Sequence, residues 1–147
     1  MSLITEADQA RLREDFARLK RPVRLLFFTQ SIGCETCLQT RQVIDELPPL
    51  SSKISIEEVN FVLDGGKAAQ YGIDRVPAIA VTYLDGEEVK DSRMRFLGTP
   101  AGYEFISLIR AVLLAGGARP PDLSEAGLTR IAAIDKPMTM RVFTTPT

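Results

Sequence analysis

The residues able to do chemistry here are two thiols. The chain holds two cysteines, Cys34 and Cys37, and no histidine. Without an imidazole, Ser–His–Asp and Cys–His nucleophiles and histidine metal ligands are excluded. Thiols at this spacing suit disulfide exchange. A thiolate at Cys34 attacks the disulfide of a target, and Cys37, nearly one helical turn on, resolves the mixed disulfide. A disulfide closing so short a loop removes little chain entropy, so the pair is no structural staple. Two other roles stay open on residue type alone. The cysteines can be small hydrophobes within a core, or two of four ligands to a metal or iron–sulfur cluster completed by a second chain.

The pair has to be positioned by what flanks it. Val23–Thr29 (VRLLFFT) is a nearly continuous apolar run, the pattern of a strand covered on both faces. The polar turn Gln30-Ser31-Ile32-Gly33 follows, then Cys34-Glu35-Thr36-Cys37. Val43, Ile44 and Leu47 predict a helix ending at Pro48-Pro49. At the start of that helix Cys34 meets unpaired N–H groups and the positive end of the dipole, which favour thiolate. The Glu35 carboxylate beside it acts in the opposite sense.

Around this unit the chain predicts an ordered series of elements. Thr5 and Asp8 form a capping box for a leading helix with Leu12, Phe16 and Leu19 on its buried face, ended by Arg21-Pro22. Ile54–Val62 reads as a second strand, and residues 67–71 as a short helical piece. After Arg75-Val76-Pro77 comes a third strand, Ala78–Leu84; Asp85-Gly86 then turns the chain into a fourth, Glu88–Leu97. Thr99-Pro100 offers an N-cap and a first helical residue for a helix with Phe105, Leu108, Ile109 and Val112 buried, closed by Gly116-Gly117. Residues 1–118 therefore make one unit.

Residues 119–147 are expected to be a linker, Arg119-Pro120-Pro121, a helix running to Ile134, and a strand-like run, Met138–Thr144. Laid over Arg21–Thr29, the stretch Lys136–Thr144 repeats its pattern of a basic residue, proline, apolar run and Phe-Thr. One reading is the first helix and strand of a second, truncated unit; the other is chance likeness of two amphipathic strands.

Composition sets the outer limits. A length of 147 residues suits one ordinary domain. The 18 Lys and Arg nearly cancel the 19 Asp and Glu, so charge gives no reason to expect a nucleic acid or an anionic membrane as partner. No apolar run approaches the ~18 residues of a membrane span. A charged N-terminal stretch with no secretory pattern points to the cytoplasm, where such thiol pairs are catalytic or sensing.

A strand, a CxxC at a helix start, and Val76-Pro77 leading into a hairpin together resemble the thioredoxin fold. That resemblance implies an α/β, three-layer architecture: a central mixed four-stranded sheet flanked by helices, here with an extra N-terminal helix. More narrowly, the chain is similar to the N-terminal part of the glutaredoxin-like protein disulfide oxidoreductases, which carry two such units in tandem. The likeness spans the leading helix, Cys34-Glu35-Thr36-Cys37, Asp74-Arg75-Val76-Pro77 and the closing Val142-Phe143-Thr144-Thr145-Pro146-Thr147. It implies thiol–disulfide exchange with protein disulfides, with Cys34 and Cys37 catalytic and Val76, a cis Pro77, Glu35 and Thr36 binding substrate. It implies a role in cell redox homeostasis with no bound cofactor, a thioredoxin reductase or glutathione as electron donor, and leaves a homodimer open. The sequence departs from its relatives in two places. Glu35-Thr36 is neither the Gly-Pro of thioredoxins nor the Pro-Tyr of glutaredoxins, and Phe28 stands where thioredoxins bury an Asp. Glu58 is a carboxylate that sequence alone does not place. Arg41 reads as part of a solvated helix face, with binding of a glutathione carboxylate as the alternative. Two rival functions remain: a non-catalytic binding or scaffold module of the same fold, and a metal- or cluster-bridged dimer through the CxxC.

Overall fold

The computed structural model describes residues 2–145. Strand β1 (Val23–Thr29) lies inside a four-stranded sheet of order β2-β1-β3-β4. It runs parallel to β2 (Ile54–Asn60) and antiparallel to β3 (Ala78–Asp85), which pairs antiparallel with β4 (Glu88–Leu97). This is the mixed sheet the resemblance implies. The reason β1 is apolar on both faces is now visible. Val23, Leu25 and Phe27 enter one core, while Leu26 and Phe28 enter a second on the opposite face.

Three helices contribute to the larger core: α1 (Glu6–Phe16) through Phe16, α2 (Cys37–Ile44) through Ile44, and α4 (Tyr103–Ala115) through Leu108 and Val112. The smaller core holds Val59, Ala68, Ile73, Ala78 and Ala80, with α3 (Gly65–Gln70) supplying Ala68. Helix layer, sheet and helix layer make the expected three layers.

Several boundaries differ from the sequence reading, each for a local reason. The capping box at Thr5 forms as expected: its hydroxyl accepts the Asp8 N–H and donates to the Asp8 carboxylate at 2.7 Å. Helix α1 nevertheless stops at Phe16 and not at Arg21, because the N–H groups of Lys20 and Arg21 turn to the carbonyl of Gly116. Leu19 lies beyond the helix but stays buried. Strand β2 ends at Asn60, whose side-chain oxygen accepts the N–H groups of Val62 and Leu63 and turns the chain outward. Thr99 does not cap α4. The chain enters that helix through Gly102, at φ 61°, a conformation that residues with a Cβ rarely adopt.

The largest correction concerns the tail. A helix, α5 (Glu125–Ala132), does form, capped by Ser124, but none of its residues is buried. Met138–Thr144 forms no strand and is exposed throughout. A strand exists only where a neighbour accepts its ladder, and no strand of this sheet pairs with it. Pro146 and Thr147, part of the sequence likeness, lie outside the described residues.

Candidate functional site

The site sits where β1 hands over to α2. Thr29 is the last residue of β1, its carbonyl tied to the Phe61 N–H at 2.8 Å. The chain then leaves the sheet through Gln30–Gly33, an exposed turn in which Gly33 takes φ 75°. Cys34 and Cys37 are joined in a disulfide, with Cα atoms 5.5 Å apart.

Cys34 precedes α2 rather than opening it; the first helical residue is Cys37. Cys34 is half-buried, whereas Cys37 is 6% exposed, so the first residue of the pair is the more reachable and the second the more screened. Glu35 and Thr36, between them, are exposed. Thr36 is the N-cap residue but its side chain accepts no capping bond. The first-turn N–H groups of α2 are therefore left facing the cysteine turn, a setting that favours negative charge there.

The second element of the site is brought in by register. Phe28 of β1 pairs with Ala78 of β3, so Pro77 lies at the sheet end from which the Cys34 turn departs. The Val76–Pro77 bond is cis. Pro77 is buried, Val76 is half-buried against the smaller core, and the Pro77 carbonyl accepts the Gly98 N–H at 2.9 Å. Neither backbone polar group of Val76 has a partner among the described residues. A free N–H and C=O at the head of a strand can take a short extended peptide as an extra strand. The register thus places the Val76-Pro77 segment at the same end of the sheet as the cysteine turn, with Glu35 and Thr36 on the exposed turn between the cysteines.

The charged groups weighed from sequence fall elsewhere. Arg41 is held by the Asp45 carboxylate at 2.7 Å and by Glu58. The Asp45 bond, more than the Glu58 charge, pushes the Arg41 guanidinium above its usual range. With two carboxylates on it, Arg41 belongs to an ion-paired helix face, and Glu58 is spent on that pair. Phe28 is fully buried next to Val59 on β2. The buried-acid position of thioredoxins is thus filled here by an aromatic ring.

One pair of residues escaped the sequence reading. Thr40, fully buried on α2, donates its hydroxyl to the Thr36 carbonyl at 2.9 Å and meets the Thr99 hydroxyl at 2.8 Å. The available signal was a hydroxyl on an otherwise apolar stripe, Cys37, Thr40, Val43 and Ile44, all buried. Its partner lies 59 residues away and no spacing rule points to it.

Comparison with known proteins agrees with this fold. No family model matches the chain. Over 92 residues it is 33% identical to an NADH dehydrogenase of Bacillus subtilis, covering 63% of this chain but only 15% of that protein. Over 88 residues it is 32% identical to a probable thioredoxin of Methanothermobacter thermautotrophicus, covering 59% of this chain and 92% of that one. Among solved structures, the NTD_N/C domain of the alkylhydroperoxide reductase AhpF from Enterococcus faecalis superposes with a TM-score of 0.78 at 28% identity, over 90% of this chain and 62% of that chain. A protein disulfide oxidoreductase from Aeropyrum pernix superposes with a TM-score of 0.66 at 26% identity, over 83% of this chain and 51% of that chain. A thioredoxin matched over nearly its whole length, on a fold that places a CxxC disulfide at the exit of its central strand, settles the kinship: the chain belongs to the thioredoxin family of thiol–disulfide oxidoreductases.

Proposed function

We propose that Cys34 is the attacking sulfur, Cys37 the resolving one, and Val76-Pro77 the platform on which an extended segment of a protein substrate is held, with Glu35 and Thr36 touching that segment. In the reducing direction the Cys34 thiolate attacks one sulfur of the substrate disulfide, forming a mixed disulfide and releasing the first substrate thiolate. The Cys37 thiolate then attacks Cys34 Sγ, releasing the second and closing the Cys34–Cys37 bond. Two electrons pass from the chain's dithiol to the substrate. A thioredoxin reductase or glutathione restores the dithiol, and the cytoplasm is the compartment in which such a cycle runs. No further cofactor takes part.

The observation that carries this reading is the asymmetry of the pair, with Cys34 half-buried and Cys37 only 6% exposed. The reading predicts that wild type accelerates dithiothreitol-driven reduction of insulin and that Cys34→Ser does not. Equal turnover by the two at matched concentration rejects it in favour of a binding or scaffold module. An absorption spectrum and metal analysis of reduced protein test the cluster-bridged dimer, and the mass in solution tests self-association.

Residues 119–147 are read as the opening of a second thioredoxin-like unit after a first unit at 1–118. Two things support this. Lys136–Thr144 repeats Arg21–Thr29. The apolar residues of α5, Leu128 and Ile131, are half exposed, as a face awaiting its own core would be.

A further inference from the structure

A hydroxyl in a buried helix face needs a reason, because a polar group taken out of water is costly unless bonded. Thr40 is fully buried, and its bonds run in two directions. Its hydroxyl donates to the Thr36 carbonyl, which also accepts the Thr40 N–H at 2.9 Å. Each threonine hydroxyl has a single proton. With the proton of Thr40 given to Thr36, the 2.8 Å contact between Thr40 and Thr99 is completed by the proton of Thr99. The chain of donors therefore runs from Thr99 to Thr40 to Thr36.

Its two ends are informative. Thr36 is the residue between the cysteines that immediately precedes Cys37. Thr99 follows Gly98, whose N–H bonds the carbonyl of Pro77 at 2.9 Å. The hydroxyl chain thus ties the redox turn, through Gly98, to the segment proposed to hold substrate. Among the described residues no hydrogen bond joins Cys34, Glu35, Thr36 or Cys37 directly to residues 74–77.

We propose that Thr40 and Thr99 are positioning residues that set the offset between the Cys34–Cys37 turn and the Val76-Pro77 backbone. The inference rests on the exchange reading above and adds to it how the two halves of the site are kept in register. Attack on a disulfide needs the incoming sulfur aligned with the bond it breaks, and small misplacement is costly in rate. A protein substrate that is held on residue 76 and attacked at residue 34 depends on that offset. A small disulfide that meets only Cys34 does not. Removing the link should slow the first and spare the second.

The test compares pre-reduced wild type with Thr40→Val, Thr40→Ser and Thr99→Val. Each is mixed with insulin and, separately, with the small aromatic disulfide dithiobis(nitrobenzoate). Losing one buried hydrogen bond from the reacting arrangement corresponds to a fall of about three- to ten-fold in the rate constant. That fall is expected with insulin for both valine variants, with the aromatic disulfide changed less than about two-fold, and with Thr40→Ser close to wild type. Equal slowing on both substrates, or no change on either, overturns the inference, since it leaves the threonines a role in stability alone or none. Should Thr40→Val fail to fold, Thr99→Val, altered at a half-buried position outside both cores, gives the same comparison. Failure of the underlying reading has a different signature: wild type would then reduce the aromatic disulfide no faster than Cys34→Ser.

Discussion

A redox pair must open and close without taking the fold with it, and that sets a ceiling on what the Cys34–Cys37 bond contributes to stability. The bridge joins residues with a sequence separation of 3. For a loop of that size the chain-entropy model gives about 2 kcal/mol. Neither cysteine belongs to the two hydrophobic cores, and α2 is anchored in the larger one through Ile44, followed by Leu47 and Leu50. Nothing in the packing therefore adds to the entropic figure. For a chain of this length 2 kcal/mol corresponds to a fall in melting temperature of about 4–8 °C, or a shift of about 1 M in urea midpoint.

The assay is thermal and urea unfolding of oxidised protein and of protein held in excess dithiothreitol. Both forms should unfold in a single cooperative transition. Cys34→Ser, altered at the half-exposed sulfur, should match the reduced form within about 0.5 kcal/mol and ignore the reductant. A loss above about 4 kcal/mol on reduction, or loss of the cooperative transition, would refute the reasoning. It would mean that the bond holds the fold and cannot be a shuttle.

Other expectations follow from the packing and the charges. Phe27→Ala, at a ring 1% exposed in the larger core, should cost about 3–5 kcal/mol in urea unfolding. Asp91 is held below the usual aspartate range by its charge-assisted bond to Arg95, which outweighs burial. Its contribution is therefore complete above the unfolded value of about 3.9 and is lost as pH falls through the lower folded value. Stability of wild type should drop over that acid range, and Asp91→Asn should be less stable at pH 7 by up to about 1 kcal/mol with a flatter acid limb. A chain ending at Ala118 should unfold within about 1 kcal/mol of the longer one, because α5 buries no residue; a larger loss in calorimetry would show the tail to be part of the first unit.

How far the site could be read in advance depended on whether its determinants were local. Strand β4 begins at Glu88 and ends at Leu97 as expected, because Asp85-Gly86 defines the hairpin where it stands and Gly86 supplies the φ of 63° that the turn needs. The cysteines announce their own chemistry, and their asymmetric exposure follows from a strand exit meeting a helix. Where the reading went astray, a distant partner had changed the local outcome. Thr99-Pro100 has every local mark of a helix start, yet the Thr99 hydroxyl is turned to Thr40 on another element, and α4 begins instead after Gly102. Lys136–Thr144 has the pattern of β1 but not its neighbours. In β1 that pattern becomes a strand because Ile54–Asn60 of β2 and residues 78–83 of β3 supply ladders on both sides; in the tail no described strand does. An apolar run is thus a request for partners, and position in the sheet decides whether it is met. The same dependence places the site. The cysteine turn inherits its location from the most enclosed strand of the molecule, whose ladders hold its end beside Pro77. The remaining freedom, the offset between turn and platform, is left to a hydroxyl contact that no neighbouring residue foretells.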